Sequence, residues 1–369
     1  DLKNLPLLTR SDLQDSTDKI RCHKIKDVSA DATGGSTGEP VRFFHDETYR
    51  NYHDALELLL LSWMNISPGM RTLALWGVDE DQLRPSLKAR LSTRMKQFKI
   101  FNTFGLDESD LSDLIEQIES YQPKYIIGYA SSLAMIADAL IKRGELAVLP
   151  TAVRSAAEML YDHQRESVEK AFGKRLFNVY GSREVSHLAS ECAEHDGLHI
   201  FEPTRIIEIT DDIGHPLPPG EIGHIVVTDL TNYCFPFIRY RNGDMGVMDD
   251  SSCRCGRGMR RLSKIVGRTS DILSFNGRTI HGEFFTHLFY HRNDTRRFQV
   301  IQESDDRLTV LIVPRSQPYD SDQLRKAIEK QVGPNVTIDI NLVESIAPPP
   351  SGKHRFTINR TAVDAKRWA

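Results

Sequence analysis

Between Tyr125 and Tyr180 the chain alternates short apolar runs with amphipathic ones, and no other feature limits its fold as tightly. Tyr125-Ile-Ile-Gly128, Ala152-Val-Arg-Ser-Ala156 and Leu176-Phe-Asn-Val-Tyr180 read as strands. Ser131 to Arg143 and His163 to Phe172, lying between them, carry apolar residues at helical spacing. A strand that returns through a helix pairs parallel with its predecessor, so this stretch predicts an α/β sheet. Upstream, Thr48 to Met64 predicts a helix through Ala55, Leu56, Leu59 and Leu60, and Arg71 to Trp76 a buried strand. Further helices are predicted over Gln82 to Lys96 and Asp110 to Ser120, with Ser11-Asp12 the expected cap of a short helix near the start.

The texture changes after Ile206. Ile206 to Thr210, His224 to Asp229 and Phe237 to Tyr240 are short apolar runs between turns, which predicts a small antiparallel β unit packed on the first. From about Thr269, strands over Phe298 to Gln302 and Leu308 to Val313 surround a helix over Ser321 to Lys330, a small α+β domain. A chain of 369 residues exceeds a single ordinary core, and we expect a large domain over 1–268 and a small one over 269–369. A charged share of 27% and a net charge of −4 leave no broad basic surface for nucleic acid or anionic membrane. The longest apolar run, Leu56 to Met64, is too short to span a bilayer. The chain opens at Asp1 with no charged-then-apolar leader, so a cytoplasmic location is expected.

Several segments carry chemistry. Thr33-Gly34-Gly35-Ser36-Thr37-Gly38 can turn backbone N–H groups and hydroxyls inward around a polyphosphate, although a glycine-rich linker has the same composition. It is no Walker loop, lacking Gly-Lys-Ser/Thr. In Asn178-Val-Tyr180-Gly181-Ser182-Arg183-Glu184 the tyrosine can stack on a purine and Glu184 can hold phosphate-bound magnesium; a packed turn is the plainer reading. Arg239-Tyr-Arg-Asn-Gly-Asp244 offers an aspartate to ribose hydroxyls, or is a solvated ion pair on a turn. Gly267-Arg268-Thr-Ser-Asp271 and Ser351-Gly352-Lys353 follow.

Taken in order, these segments resemble the adenylate-forming superfamily. Phe101-Asn-Thr-Phe104, Gly128-Tyr-Ala-Ser-Ser132, Ser155-Ala-Ala157-Glu158 and His281-Gly-Glu-Phe-Phe285 extend the likeness to the phenylacetate-CoA ligase family, in its CapK-like or coenzyme F390 synthetase-like branch. The resemblance implies ATP-dependent activation of a carboxylic acid to an acyl-AMP, with CoA the expected acceptor. Transfer of AMP to a hydroxyl, loading of a carrier protein, or a non-catalytic role in polysaccharide biosynthesis are the alternatives. It implies that Thr33 to Gly38 grip the β- and γ-phosphates, that Ala157, Glu158, Asn178, Tyr180, Gly181 and Ser182 border the nucleotide, and that Glu184 binds Mg²⁺. Asp244 would hold the ribose and Arg268 the ribose or α-phosphate. Lys353 would stabilise charge at the α-phosphate from a mobile small domain hinged at Thr269 to Asp271. The acid would lie near Trp76, Tyr129, Ser155 and Asn178, and a homodimer is compatible. The loop reads Thr-Gly-Gly-Ser where relatives commonly have Thr-Ser-Gly-Ser.

Five cysteines without a leader argue against a disulfide framework. Cys192, His199, Cys253 and Cys255 are a good tetrahedral zinc set, with His195 the competing imidazole; a core cysteine plus a redox pair is the other reading. Some members of the resembling branch share these elements and bind zinc there, which implies a structural site. Cys22 and Cys234 are expected to be bystanders. His281, His287 and His291 are read as satisfied polar residues rather than a metal cluster.

Overall fold

The structure, a computed structural model, describes residues 2–32, 41–76, 97–103, 108–144, 149–268, 272–276, 278–290, 292, 294–315, 318–347 and 355–361. The helix expected over Gln82 to Lys96 lies outside them. Two compact units result: the first runs to Asn242 and resumes over Val247–Lys264, and the second holds Gly243–Gly246 and continues from Ile265.

The first unit opens with helix α1 (Arg10–Ile20), a hairpin of β1 (Val28–Ala32) and β2 (Arg42–Asp46), and helix α2 (Glu47–Trp63). There follow β3 (Thr72–Trp76), β4 (Phe98–Asn102), β5 (Tyr125–Gly128), β6 (Ala152–Ala156) and β7 (Leu176–Ser182), with helices Glu108–Tyr121, Ala130–Arg143 and Asp162–Phe172 between them. These strands pair parallel in the order β7-β6-β5-β3-β4. Then come β8 (Ser186–Ser190), β9 (Leu198–Ile200), β10 (Arg205–Thr210), β11 (Ile222–Asp229), β12 (Tyr240–Asp249) and β13 (Arg261–Arg268). The β unit expected to pack on the first sheet instead extends it: β8 joins the edge of β7 antiparallel, and among the described residues the two make one 11-stranded sheet. The chain turns tightly between β7 and β8, which leaves the second strand no path except back along the first.

Strand pleating explains the two cores. Leu73, Leu75, Ile126, Val153 and Leu176 point to one face, where Leu133, Ile136 and Phe172 of the covering helices bury them. Tyr125, Phe177 and Val179 point to the other, against Leu56, Leu60 and Trp63 of α2. This two-sided burial is what parallel strands require. Helix α2 is fastened at its start by Asp46, which caps Tyr49 N–H at 2.9 Å while its other oxygen takes the N–H groups of Tyr233 and Cys234 at 2.8 and 2.9 Å.

Two local expectations need correction. Thr9, not Ser11-Asp12, caps α1, because Thr9 and Asp12 close a reciprocal capping box and leave Ser11 inside the helix. The strand expected at Phe237 to Tyr240 begins only at Tyr240: Pro236 has no N–H to give a ladder, and Arg239 takes a left-handed backbone with φ 49°.

Arg205 and Asp229 form a fully buried ion pair at 2.8 Å. Thr231 also donates its N–H and hydroxyl to the same carboxylate oxygen, each at 2.7 Å. Removing one partner strands the other charge, so Asp229→Ala will cost about 3–5 kcal/mol, read as a lower urea midpoint.

The second unit pairs β14 (Ile272–Phe275) with β15 (Arg278–His281), and builds a sheet in the order β18-β17-β16-β19 from β16 (Thr295–Ser304), β17 (Arg307–Pro314), β18 (Thr337–Leu342) and β19 (Thr357–Asn359). The helix Asp322–Val332 links parallel β17 and β18 and buries Leu324, Ile328 and Val332 against Val310, Ile312 and Phe285. Among the described residues no helix is long and apolar enough to cross a membrane.

Candidate active site

Ligands of open α/β sheets sit beyond the carboxyl ends of the strands, and here that end of β7 runs directly into the motif Tyr180 to Glu184. The Tyr180 hydroxyl accepts a hydrogen bond from Asn242 Nδ2 at 2.7 Å. Glu184 is 8% exposed, and the Tyr240 hydroxyl donates to its Oε1 at 3.2 Å. The Glu184 carbonyl accepts from His45 Nε2 at 3.0 Å. Burial lowers the His45 pKa, so this ring works as a neutral donor, and it stacks on Tyr49 at 3.8 Å. Both the backbone and the side chain of Glu184 are therefore set before any ligand arrives. Gly181 is required here, because a Cβ would run into the Ser186 carbonyl oxygen.

Next to it, Ala157 follows β6 with φ 66°, an uncommon backbone for a residue with a side chain. The turn sends Glu158 back to accept the Ser131 N–H at 2.9 Å. Asn178 donates its N–H to Glu191 Oε2 at 2.8 Å, and the Ser182 hydroxyl is buried with no hydrogen-bond partner among the described residues. In the second unit Asp244 meets Arg268 at 3.4 Å. Thr33, Gly34, Gly35, Ser36, Thr37, Gly38, Lys353 and the hinge Thr269 to Asp271 lie outside the described residues, as do the side chains of His281, His287 and His291.

Tyr240 and His45 did not stand out in the sequence as partners of Glu184; only Tyr240's place inside Arg-Tyr-Arg hinted at a role. Arg239, read as one end of a solvated pair, is 2% exposed and donates to the carbonyls of Leu5 at 2.7 Å and Gly214 at 2.6 Å. It anchors the N-terminal segment.

A polar cluster on the α2 face also escaped the sequence. Arg154, 3% exposed, reaches both oxygens of Glu57 at 2.8 and 2.9 Å. His187 Nε2 lies 2.9 Å from Glu57 Oε2, His53 Nδ1 lies 2.5 Å from the Ser186 hydroxyl, and the two imidazoles stack at 5.1 Å. Burial acts to raise the Glu57 pKa, but His187 and Arg154 outweigh it and hold the carboxyl at about 2, against an ordinary value of 4.5. A depressed folded value contributes stability that is complete above the unfolded pKa and is lost as pH falls from 4.5 toward about 2. Thermal unfolding across that window will show the loss, and Glu57→Gln will flatten it.

Beside the interior strands β8 and β9, Cys192, His199, Cys253 and Cys255 place their ligand atoms within 4.8 Å of one another. The Cys192 and Cys253 sulfurs are 3.8 Å apart, and Cys255 Sγ is 3.3 Å from His199 Nε2. Zinc–sulfur bonds of about 2.3 Å at tetrahedral angles give sulfur separations of about 3.8 Å, so the donor set fits that ion. His195 is turned elsewhere, with Nδ1 3.1 Å from Glu191 Oε2. Trp63 meets the His199 ring edge-on at 5.9 Å and walls the cluster from α2. Burial pushes the Cys192 thiol up to about 11; Cys255, although burial opposes it, is brought down to about 7 by hydrogen bonds from Arg257.

Against known proteins, residues 272–360 match the family model described as the CapK C-terminal domain. Protein CapK of Staphylococcus aureus is 26% identical over 97% of this chain and 80% of its own length. The phenylacetate-coenzyme A ligase of Thermus thermophilus is 34% identical over 44% of this chain and 38% of the ligase. The chain is a relative of CapK and of the phenylacetate-coenzyme A ligases. Its fold is that of adenylate-forming ligases: 2-hydroxyisobutyryl-CoA ligase in the postadenylation state superposes with a TM-score of 0.73 at 18% identity, covering 98% of this chain and 81% of the ligase. o-Succinylbenzoate coenzyme A synthetase from Bacillus subtilis follows with a TM-score of 0.61 at 16% identity, covering 88% and 66%.

Proposed function

We propose that the chain activates a carboxylic acid with ATP as an acyl-adenylate, releasing pyrophosphate, and passes the acyl group to coenzyme A. The observation that carries this is Glu184, held from two sides by Tyr240 and His45 beside Tyr180 at the carboxyl end of β7. No hydrogen bond among the described residues occupies Glu184 Oε2, so the carboxylate has an oxygen to offer a hard cation. Magnesium bound there would neutralise charge on the phosphates. Tyr180 would stack on the adenine beside Ala157 and Glu158, with Asn178, Gly181 and Ser182 along the strand end. Asp244 would accept ribose hydroxyls and Arg268, at its side, would face the ribose or α-phosphate. Thr33 to Gly38 would grip the leaving pyrophosphate, and Lys353 would stabilise charge at the α-phosphorus as the carboxylate attacks. Cys192, His199, Cys253 and Cys255 would hold a structural zinc that ties the segment after β8 to the loop before β13.

The relatives named phenylacetate-coenzyme A ligase favour coenzyme A over other acceptors. The test is pyrophosphate release over aryl and alkyl acids, with and without CoA. Release that depends on both ATP and an acid is expected, with CoA raising turnover. No release with any acid would sink the reading, and turnover indifferent to CoA would redirect it to another acceptor.

A further inference from the structure

We infer that the acid this chain activates carries a hydroxyl group on its body, recognised by His53 and His187; the inference rests on the acid-activation reading above and assigns its substrate class.

Strand pleating at the carboxyl edge gives the reason. Tyr180 falls on the sheet face opposite Val179, and Val179 pairs in register with Ala156 of β6. An adenylate whose base stacks on Tyr180 therefore lays its acyl group across the strand end, toward the face of Ala156 and Val179. The aromatic wall there is Trp76 against Tyr129, edge to face at 4.6 Å. Ser155 and Asn178, register partners of each other, belong to the opposite face and drop out of the acid's surroundings. The remaining side of the acyl face is polar: past a register shift Gly181 pairs with His187, whose ring reaches Glu57 of α2 and so lies on the face of Val179, and Ser186 and His53 stand next to it.

Each imidazole faces its protein neighbour through one nitrogen only. His187 Nε2 lies 2.9 Å from Glu57 Oε2 without completing a hydrogen bond, and no hydrogen bond among the described residues reaches its Nδ1. Ser186 takes His53 Nδ1, and no hydrogen bond among the described residues reaches His53 Nε2. His187 keeps 14% of its side chain accessible, and His53 is half-buried. Arg154 and Glu57 cancel each other's charge behind the rings, so the pair presents hydrogen-bonding capacity without net charge. A hydroxyl, donor and acceptor at once, answers both rings. An aliphatic or unsubstituted aryl body would leave them desolvated and unpaired.

The experiment compares pyrophosphate release with phenylacetate, benzoate and hexanoate against their ring- or chain-hydroxylated counterparts. We expect at least one hydroxylated acid to exceed its parent by about 10²-fold or more in kcat/KM, the scale set by leaving buried polar groups unpaired. His187→Phe and His53→Phe should each erase that ratio while ATP still binds; His53→Gln should restore part of it. A purely structural cluster would lower stability without moving the ratio. Equal use of every pair, or ratios unchanged in both variants, overturns this inference alone. Absence of release with every acid overturns the activation reading and this inference with it.

Discussion

Glu184→Gln should lower acid-dependent pyrophosphate release by about 10²–10³-fold, the usual cost of removing one electrostatic stabiliser from such a site. The amide keeps the size of the side chain and an oxygen to accept the Tyr240 hydroxyl, whose bond to Glu184 is 3.2 Å long. It keeps the backbone carbonyl that His45 grips at 3.0 Å. What it loses is the negative charge, and with it the affinity for a divalent cation. The loss should therefore appear mainly in kcat, with a higher magnesium requirement and little change in the unfolding midpoint. A variant with wild-type rate and magnesium dependence would remove Glu184 from the proposed machinery.

The second large effect is that of zinc. Protein purified without chelator should contain about one equivalent of the metal, and stripping it, or replacing Cys253 by Ser, should cost about 3 kcal/mol or more. Small zinc modules lose all their structure without metal. Here Leu56, Leu60, Trp63 and Phe201 pack around the cluster and would retain part of the fold. The cost comes from buried thiols and an imidazole that lose their common partner. Elemental analysis showing no metal would leave Cys192 and Cys253 as core cysteines, and the site would be lost.

The strands from Tyr125 to Tyr180 were legible because buried strands alternate with helices of clear periodicity, and their ends fell within about two residues of the expected ones. β8 and β9 were not. His187 and His199 interrupt their apolar pattern, and both are held by partners far away in sequence, Glu57 and the cysteine cluster. The junction at Phe237 misled because its side chains are as buried as those of a strand while Pro236 denies it the ladder. Among site residues, the cysteine set showed itself by residue type and spacing. Glu57, Arg154 and His53 carried no local signal, since a charged residue on a helix or strand reads as solvated until its partner is known. Tyr240 lay in plain view inside a motif, but a hydroxyl's direction is fixed only by the sheet.

Acid activation itself is tested most directly by the fate of a carboxylate oxygen. With an acid labelled with oxygen-18 in its carboxylate, ATP and CoA, attack on the α-phosphorus transfers one labelled oxygen to AMP when the thiol displaces it. The expected result is label in AMP and none in pyrophosphate. Label in orthophosphate with ADP as the other product would mean an acyl phosphate, and would contradict the roles proposed for Tyr180, Glu184 and Lys353 together.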